Sequence, residues 1–200
     1  MHSKKITQRI KNLYKNLHPY SLDYDDAYYK DKNQNKTDID STYGEILPNA
    51  VSKLINNLTI KEDDVFVDLG CGNGKVVVQF YLQTPVKESL GIEFSTTRYN
   101  QAKKVLENIK EKKHKKISYI RNNFLNVDVS HGTIFYSAST CFTDETMFKI
   151  WNKLMENKNL NAIIILKDFP ENCNFSRVKG TRKFKVGCSW AMSEAKIYYF

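Results

Sequence analysis

The sequence predicts an α/β fold: a mostly parallel central sheet with helices on both faces and a small N-terminal helical extension. Three observations lead there. Short hydrophobic runs alternate with helix-like stretches from Asp64 to Leu166, a pattern that sets successive strands parallel and crosses between them with helices. Three glycines directly follow the first such run, as a tight strand-to-helix turn requires. The chain has 200 residues, room for one ordinary domain and no second.

Each element has its own pattern. Ile6, Ile10, Leu13 and Leu17 recur at helical spacing with lysines on the opposite face, which predicts an N-terminal helix. Residues 21–45 carry seven acids against three lysines and include the polar run DKNQNKTDIDST, the composition of a mobile connection. Ile46, Leu47, Ala50, Val51, Leu54, Ile55 and Leu58 mark a second amphipathic helix, with Pro48 tolerated in its first turn. A strand at 65–69, a helix at 75–81, a strand at 89–93 and a helix at 99–110 follow. Strands at 117–120 and 133–137, a helix at 144–155 and a strand at 162–166 complete the alternation. The β-type runs 184–186 and 197–200 predict a closing antiparallel pair. Residues 1–41 read as an extension and 42–200 as the main domain.

Composition narrows the partners. Hydrophobic residues at 41% and aromatics at 12% fill a real core, and 26% charged residues cover it. A net charge of +9 favours an acidic partner such as nucleic acid. The positive residues are nearly all lysine, however, and 19 asparagines accompany them, a bias that AT-rich coding alone produces. The cysteines at 71, 141, 173 and 188 form no CxxC pair and have no histidine at ligand spacing, so neither a metal site nor a disulfide framework is expected. The start lacks an apolar signal region and the longest aliphatic run is Ala162 to Leu166, which predicts an intracellular protein of cytoplasm or nucleus with no membrane partner.

The chemistry concentrates in VFVDLGCGNG, residues 65–74. Gly70, Gly72 and Gly74 sit at G-x-G-x-G spacing, one residue short of the dinucleotide fingerprint. Asp68 at the strand end suits a ligand bearing an ammonium and repels a pyrophosphate. Twenty-five residues on, Leu90-Gly-Ile-Glu93 ends the next strand with an acid placed to accept hydrogen bonds from ribose hydroxyls. After the third strand, Asn123 offers a carbonyl acceptor and Phe124 an apolar face for a base. A core-packing turn or an NAD site stays open on this spacing alone.

Together these residues resemble the class I S-adenosylmethionine-dependent methyltransferases, which implies a Rossmann-like fold and S-adenosyl-L-methionine as cofactor, with S-adenosyl-L-homocysteine as product. Thr42-Tyr-Gly-Glu-Ile46, the stretch from Asp64 to Gln79, Leu90 to Glu93, Asn123-Phe-Leu125, Cys188-Ser-Trp190 and Ile197-Tyr-Tyr199 resemble, in order, the disruptor-of-telomeric-silencing (Dot-one) histone-lysine methyltransferase family. The resemblance implies a lid of Tyr43, Gly44, Glu45 and Ile46. It implies a methionine cradle from Phe66 through Asp68 to Lys75, with Glu93 on the ribose and Asn123 with Phe124 on the adenine. Trp190 and Tyr198 would line the lysine channel. The implied substrate is a protein, a histone or the nucleosome, and the basic N-terminal helix is the candidate for non-specific DNA contact.

Three departures accompany it. Where the family has paired asparagines after the fourth strand, this chain has Tyr136-Ser-Ala-Ser-Thr-Cys-Phe142, so Ser137 or Ser139 is the expected substitute. Asn123 stands where the family has an aspartate. The interval from Trp190 to the tyrosine pair is one residue longer, which leaves Tyr199 as an alternative to Tyr198. A nucleic-acid or small-molecule methyltransferase and a non-catalytic cofactor-binding module are the alternative functions.

Overall fold

The computed structural model describes residues 2–23, 26, 42–109 and 114–200. Helix α1 (His2–Tyr14) and helix α2 (Pro48–Ile55) precede the alternating region of β1 (Val65–Leu69), α3 (Lys75–Gln83), β2 (Glu88–Glu93), α4 (Thr96–Leu106), β3 (Lys116–Arg121) and β4 (Ile134–Ser137). Helix α5 (Asp144–Met155), β5 (Ala162–Ile165), β6 (Gly180–Gly187) and β7 (Met192–Tyr199) complete it. The seven strands order as β3-β2-β1-β4-β5-β7-β6. All pairings are parallel except those of β7, which runs antiparallel to β5 and β6. The closing antiparallel pair is thus present, with both strands longer than their short apolar runs suggest.

Local chemistry sets the helix starts. Pro48 opens α2, where its missing N–H costs nothing. Ser95 caps α4 by accepting from Arg98 N at 3.2 Å, and Thr143 caps α5 by accepting from Thr146 N at 3.1 Å. Helix α4 therefore starts three residues before the apolar pattern does. Of the basic run 110–116, residues 110–113 lie outside the described residues. Lys115 donates to Tyr81 O and, at 2.6 Å, to Thr84 O at the end of α3, while Lys116 pairs with Glu88 at 2.8 Å.

The sheet separates two cores. One face carries Phe66, Ile134, Tyr136 and Ile197 against α1 to α4; the other carries Val67, Leu69, Phe135 and Tyr198 against α5 and its Trp151. Ile6, Ile10 and Tyr14 of α1 are buried in the first of these cores. The N-terminal helix is therefore part of the main domain's core and not an appendage to it. The expected mobile connection falls mostly outside the described residues, but Asp26 within it is buried, accepting from Ser95 Oγ and Thr97 N at 2.8 Å each.

Ile10 is fully buried, so Ile10→Ala is expected to cost about 2–5 kcal/mol in denaturant unfolding. A change below about 0.5 kcal/mol, the size of an ordinary surface substitution, would return α1 to the status of an extension.

Candidate active site

The strand order reverses between β1 and β4, and in open parallel sheets the crevice outside the carboxyl ends at such a reversal receives the ligand. The loop after β1 is shaped for close backbone approach. Gly72 and Gly74 have φ of +56° and +83°, and a Cβ on them would lie 2.5 Å from Tyr43 Cε2 and 2.2 Å from the Tyr119 hydroxyl oxygen, respectively. No other residue type fits either position. Gly70 N and Cys71 N donate to Ile92 O at 2.9 and 3.0 Å, fastening the loop to the end of β2. Glu93 completes the seam, accepting from Gly72 N at 2.7 Å and from Ser95 N at 2.9 Å.

Over this floor lies the segment 42–46. The Tyr43 hydroxyl donates to Glu45 Oε1 at 2.7 Å, and Lys75 forms an ion pair with the same carboxylate. Glu45 N donates to Ser189 Oγ at 3.0 Å and Ser189 N returns a bond to Glu45 O at 2.7 Å. Ile46 bridges Cys188, and Leu47 N donates to Gly187 O at 2.9 Å. Trp190 lies on Gly44 so closely that a Cβ there would sit 2.3 Å from its ring. The Arg98 guanidinium stacks 4.6 Å over the Tyr43 ring while its Nε donates to Pro19 O at 3.1 Å. The Tyr-Gly-Glu and Ser-Trp segments, remote in sequence, form one clamp.

Beneath the clamp is a cleft with a cavity volume of about 140 Å³, partly open to solvent. Its floor is acidic. Asp68 is 1% exposed, and its Oδ1 meets no hydrogen-bond donor among the described residues. Burial, reinforced by the Glu93 charge, pushes its carboxyl well above the usual carboxylate range. Burial also raises Glu93, against the opposing pull of Ser95 N–H, Arg98 and Gly72 N–H. A buried carboxyl with one unmatched oxygen, beside a second acid, fits a ligand that brings a cation. Among the described residues no cluster of metal-ligating side chains occurs.

Tyr43, Gly44, Glu45, Ile46, Asp68, Gly70, Gly72, Lys75, Glu93 and Phe124 all line this cleft. Several expected site residues lie elsewhere. Phe66 sits two residues deeper on β1 than Asp68 and stacks on Phe80 at 3.7 Å, making it core. Gly74 shapes the turn but does not reach the cleft. Asn123 turns its Oδ1 back to accept from Leu125 N at 2.9 Å, so only its neighbour Phe124 faces the cleft. Ser137 donates to Leu69 O at 2.8 Å and Ser139 accepts from Lys167 N at 3.2 Å; both are buried struts with no cleft surface. Tyr198 packs among Trp151, Phe169 and Phe175 on the far face of the sheet, and Tyr199 donates to Asn57 O at 2.9 Å, so neither reaches the site.

Trp190, 43% exposed, instead lines a second cavity with Tyr43, Gly44, Thr140 and Cys141. This cavity shares Thr42, Tyr43 and Gly44 with the main cleft. Among the lining residues, Phe94, Arg98, Tyr136, Ala138 and Phe142 were not expected from the sequence. For Tyr136 the signal was available: it lies two positions after Ile134 at a strand's carboxyl end, on the face that carries Asp68.

Fold and cleft define a class I methyltransferase architecture. An RNA methyltransferase from Salinibacter ruber, solved with S-adenosyl-L-homocysteine, superposes with a TM-score of 0.56 at 16% identity, over 76% of this chain and 90% of that one. The methyltransferase domain of bacterial CtHen1-CN gives 0.57 at 13% identity, over 75% and 97%. Residues 27–197 match the family described as "Histone methylation protein DOT1", and the chain belongs to that family. A Caenorhabditis elegans histone-lysine N-methyltransferase, H3 lysine-79 specific, is 28% identical over 84% of this chain and 20% of its own length. A protein-lysine N-methyltransferase of Saccharolobus islandicus is 29% identical over 42% of this chain and 52% of its own. The chain spans about a fifth and about half of these relatives.

The raised Asp68 carboxyl has a stability consequence. Its folded form holds a proton that the unfolded chain releases near pH 4, so the contribution of this carboxyl to ligand-free stability is fullest below that pH. It falls as pH rises from there toward the raised folded value. Asp68→Asn is therefore expected to melt like wild type near pH 4 and several degrees higher at pH 7–8, roughly 2–4 °C per kcal/mol for a chain of this size. A pH-independent difference in melting temperature would contradict the assignment.

Proposed function

We propose that the chain transfers a methyl group from S-adenosylmethionine to a lysine side chain of a protein, a histone or the nucleosome foremost. The observation that carries this reading is the clamp: the two segments most specific to the family close together over a cleft whose floor holds Asp68 with one unmatched oxygen. Asp68 and the glycine loop would hold the methionine portion, Glu93 the ribose and Phe124 a face of the adenine. Two Glu93 lone-pair positions are taken by backbone N–H groups, and a carboxylate has about four.

Bound there, the sulfonium supplies an electrophilic methyl group. The chain's own residues align and exclude water. Glu45, tied to Lys75 below and Ser189 above, holds the lid shut over the floor. Tyr43, Gly44 and Trp190 line the adjoining cavity through which a lysine side chain would enter. The attacking amine must be neutral, and a free lysine titrates near 10.4. A narrow aromatic passage desolvates the ammonium and favours loss of its proton to solvent, with no dedicated base. The nucleic-acid alternative has weaker support, because Ser137 and Ser139 are committed to backbone partners and leave no amide or acid there to hold a flipped base.

Lys5, Arg9 and Lys11 are exposed on α1 and Lys15 directly after it, a basic face suited to DNA beside a nucleosomal substrate. Because α1 belongs to the core, charge reversal tests this better than deletion. Lys5→Glu with Arg9→Glu is expected to reduce the salt slope of nucleosome binding by about 2. An unchanged slope would leave the charge as a solubility feature.

The direct test is transfer of labelled methyl to free histones and to intact nucleosomes, with the modified residue read by mass spectrometry. Gly72→Arg should abolish labelling, since even a Cβ there meets Tyr43 at 2.5 Å. Trp190→Ala should lower turnover on protein about tenfold or more while changing the dissociation constant for S-adenosylhomocysteine less than about threefold. Cofactor binding without labelling of any protein would mark a non-catalytic module, and absence of cofactor binding would refute both.

A further inference from the structure

We propose that Tyr136 holds the cationic end of the ligand together with Asp68, so that the cleft selects ligands carrying an ammonium group. The inference rests on the cofactor reading above and adds a residue to it.

Tyr136 lies directly opposite Asp68 in the parallel β1–β4 register. Paired residues of parallel strands project to the same face, and these two occupy the carboxyl ends at the strand-order reversal. Both line the main cleft. Tyr136 is 2% exposed, and its hydroxyl, like Asp68 Oδ1, has no hydrogen-bond partner among the described residues. A buried hydroxyl left unmatched is destabilising, and phenylalanine would fill the same apolar surroundings without that cost. The oxygen is therefore retained for something that enters the cleft. Its neighbours limit what that is. Asp68 and the Cys188 thiol are the ionisable groups that act on it, and neither offers it a cation. An ammonium has three donors; Asp68 Oδ1 accepts one and the Tyr136 oxygen a second. A neutral oxygen is the right companion here, because a third carboxylate beside Asp68 and Glu93 would add repulsion that the ligand's charge would have to overcome.

Calorimetric titration with two ligands tests this. S-adenosylhomocysteine carries the ammonium; its desamino analogue, with hydrogen in place of the amino group, keeps the nucleoside, thioether and carboxylate but lacks it. Tyr136→Phe is expected to weaken S-adenosylhomocysteine about tenfold, the loss of one hydrogen bond to a charged group. It should leave the desamino analogue within about twofold, and Asp68→Asn should show the same selectivity. The ligand-free Tyr136→Phe protein should melt at or above the wild-type temperature, since the lost oxygen has no partner. Wild-type affinity of Tyr136→Phe for both ligands overturns the inference and leaves the methyltransferase reading intact. Equal weakening of both ligands, or a lowered melting temperature with both weakened, assigns Tyr136 to the core and also overturns it. Failure of the wild type to bind either ligand overturns the cofactor reading itself.

Discussion

The carboxylate of Glu93 holds together the two loops from which the site is built. One oxygen takes Gly72 N–H and the other Ser95 N–H, so the turn after β1 and the start of α4 are positioned by a single side chain. Hydrogen bonds to a charged acceptor contribute roughly 1.5–3 kcal/mol each, and here they also offset part of the cost of burying the charge. The Ser95 N–H donates to Glu93, while its hydroxyl donates to Asp26. Floor, helix start and the upstream segment are thereby linked through residues that are themselves buried.

The clamp above the floor works by backbone complementarity where the floor works by charge. Ser189 both donates to Glu45 O and accepts from Glu45 N, an exchange that fixes the lid in register with the turn carrying Trp190. Gly44 is required because the indole occupies the volume of its missing side chain. These constraints explain why the lid motif and the Ser-Trp turn are specific as a pair: each supplies what the other lacks.

Periodicity made the alternating core legible, because strands buried on both faces read as continuous apolar runs and their order follows from parallel connection rules. The glycine turn, Asp68, Glu93 and the lid were legible because backbone conformation and strand-end chemistry restrict residue type there. What escaped depended on side-chain direction. Ser137 and Ser139 look like polar replacements for an amide, yet each is turned into the backbone, which local sequence does not encode. Tyr198 follows the Ser-Trp turn at nearly the expected interval, but strand alternation sends it to the Trp151 face and Ile197 to the other. The role of α1 was hidden for a different reason: an apolar stripe declares that a helix packs, not what it packs on.

The contrast between global and local charge decides what the cleft attracts. The chain carries +9 overall, which disfavours a cationic ligand at long range. Within the cleft the balance is reversed. Lys75 is paired with Glu45, and Arg98 is engaged by the Tyr43 ring and Pro19 O. Asp68 and Glu93 remain as buried acids whose carboxyls burial pushes up, so an arriving cation would favour their ionised forms. On the proposed function, a ligand with both a sulfonium and an ammonium would gain from those acids, and its product, having lost the sulfonium charge, would gain less. On the proposed reading, the acidic floor would therefore favour exchange of product for fresh cofactor, while the excess positive charge of the chain lies outside that floor.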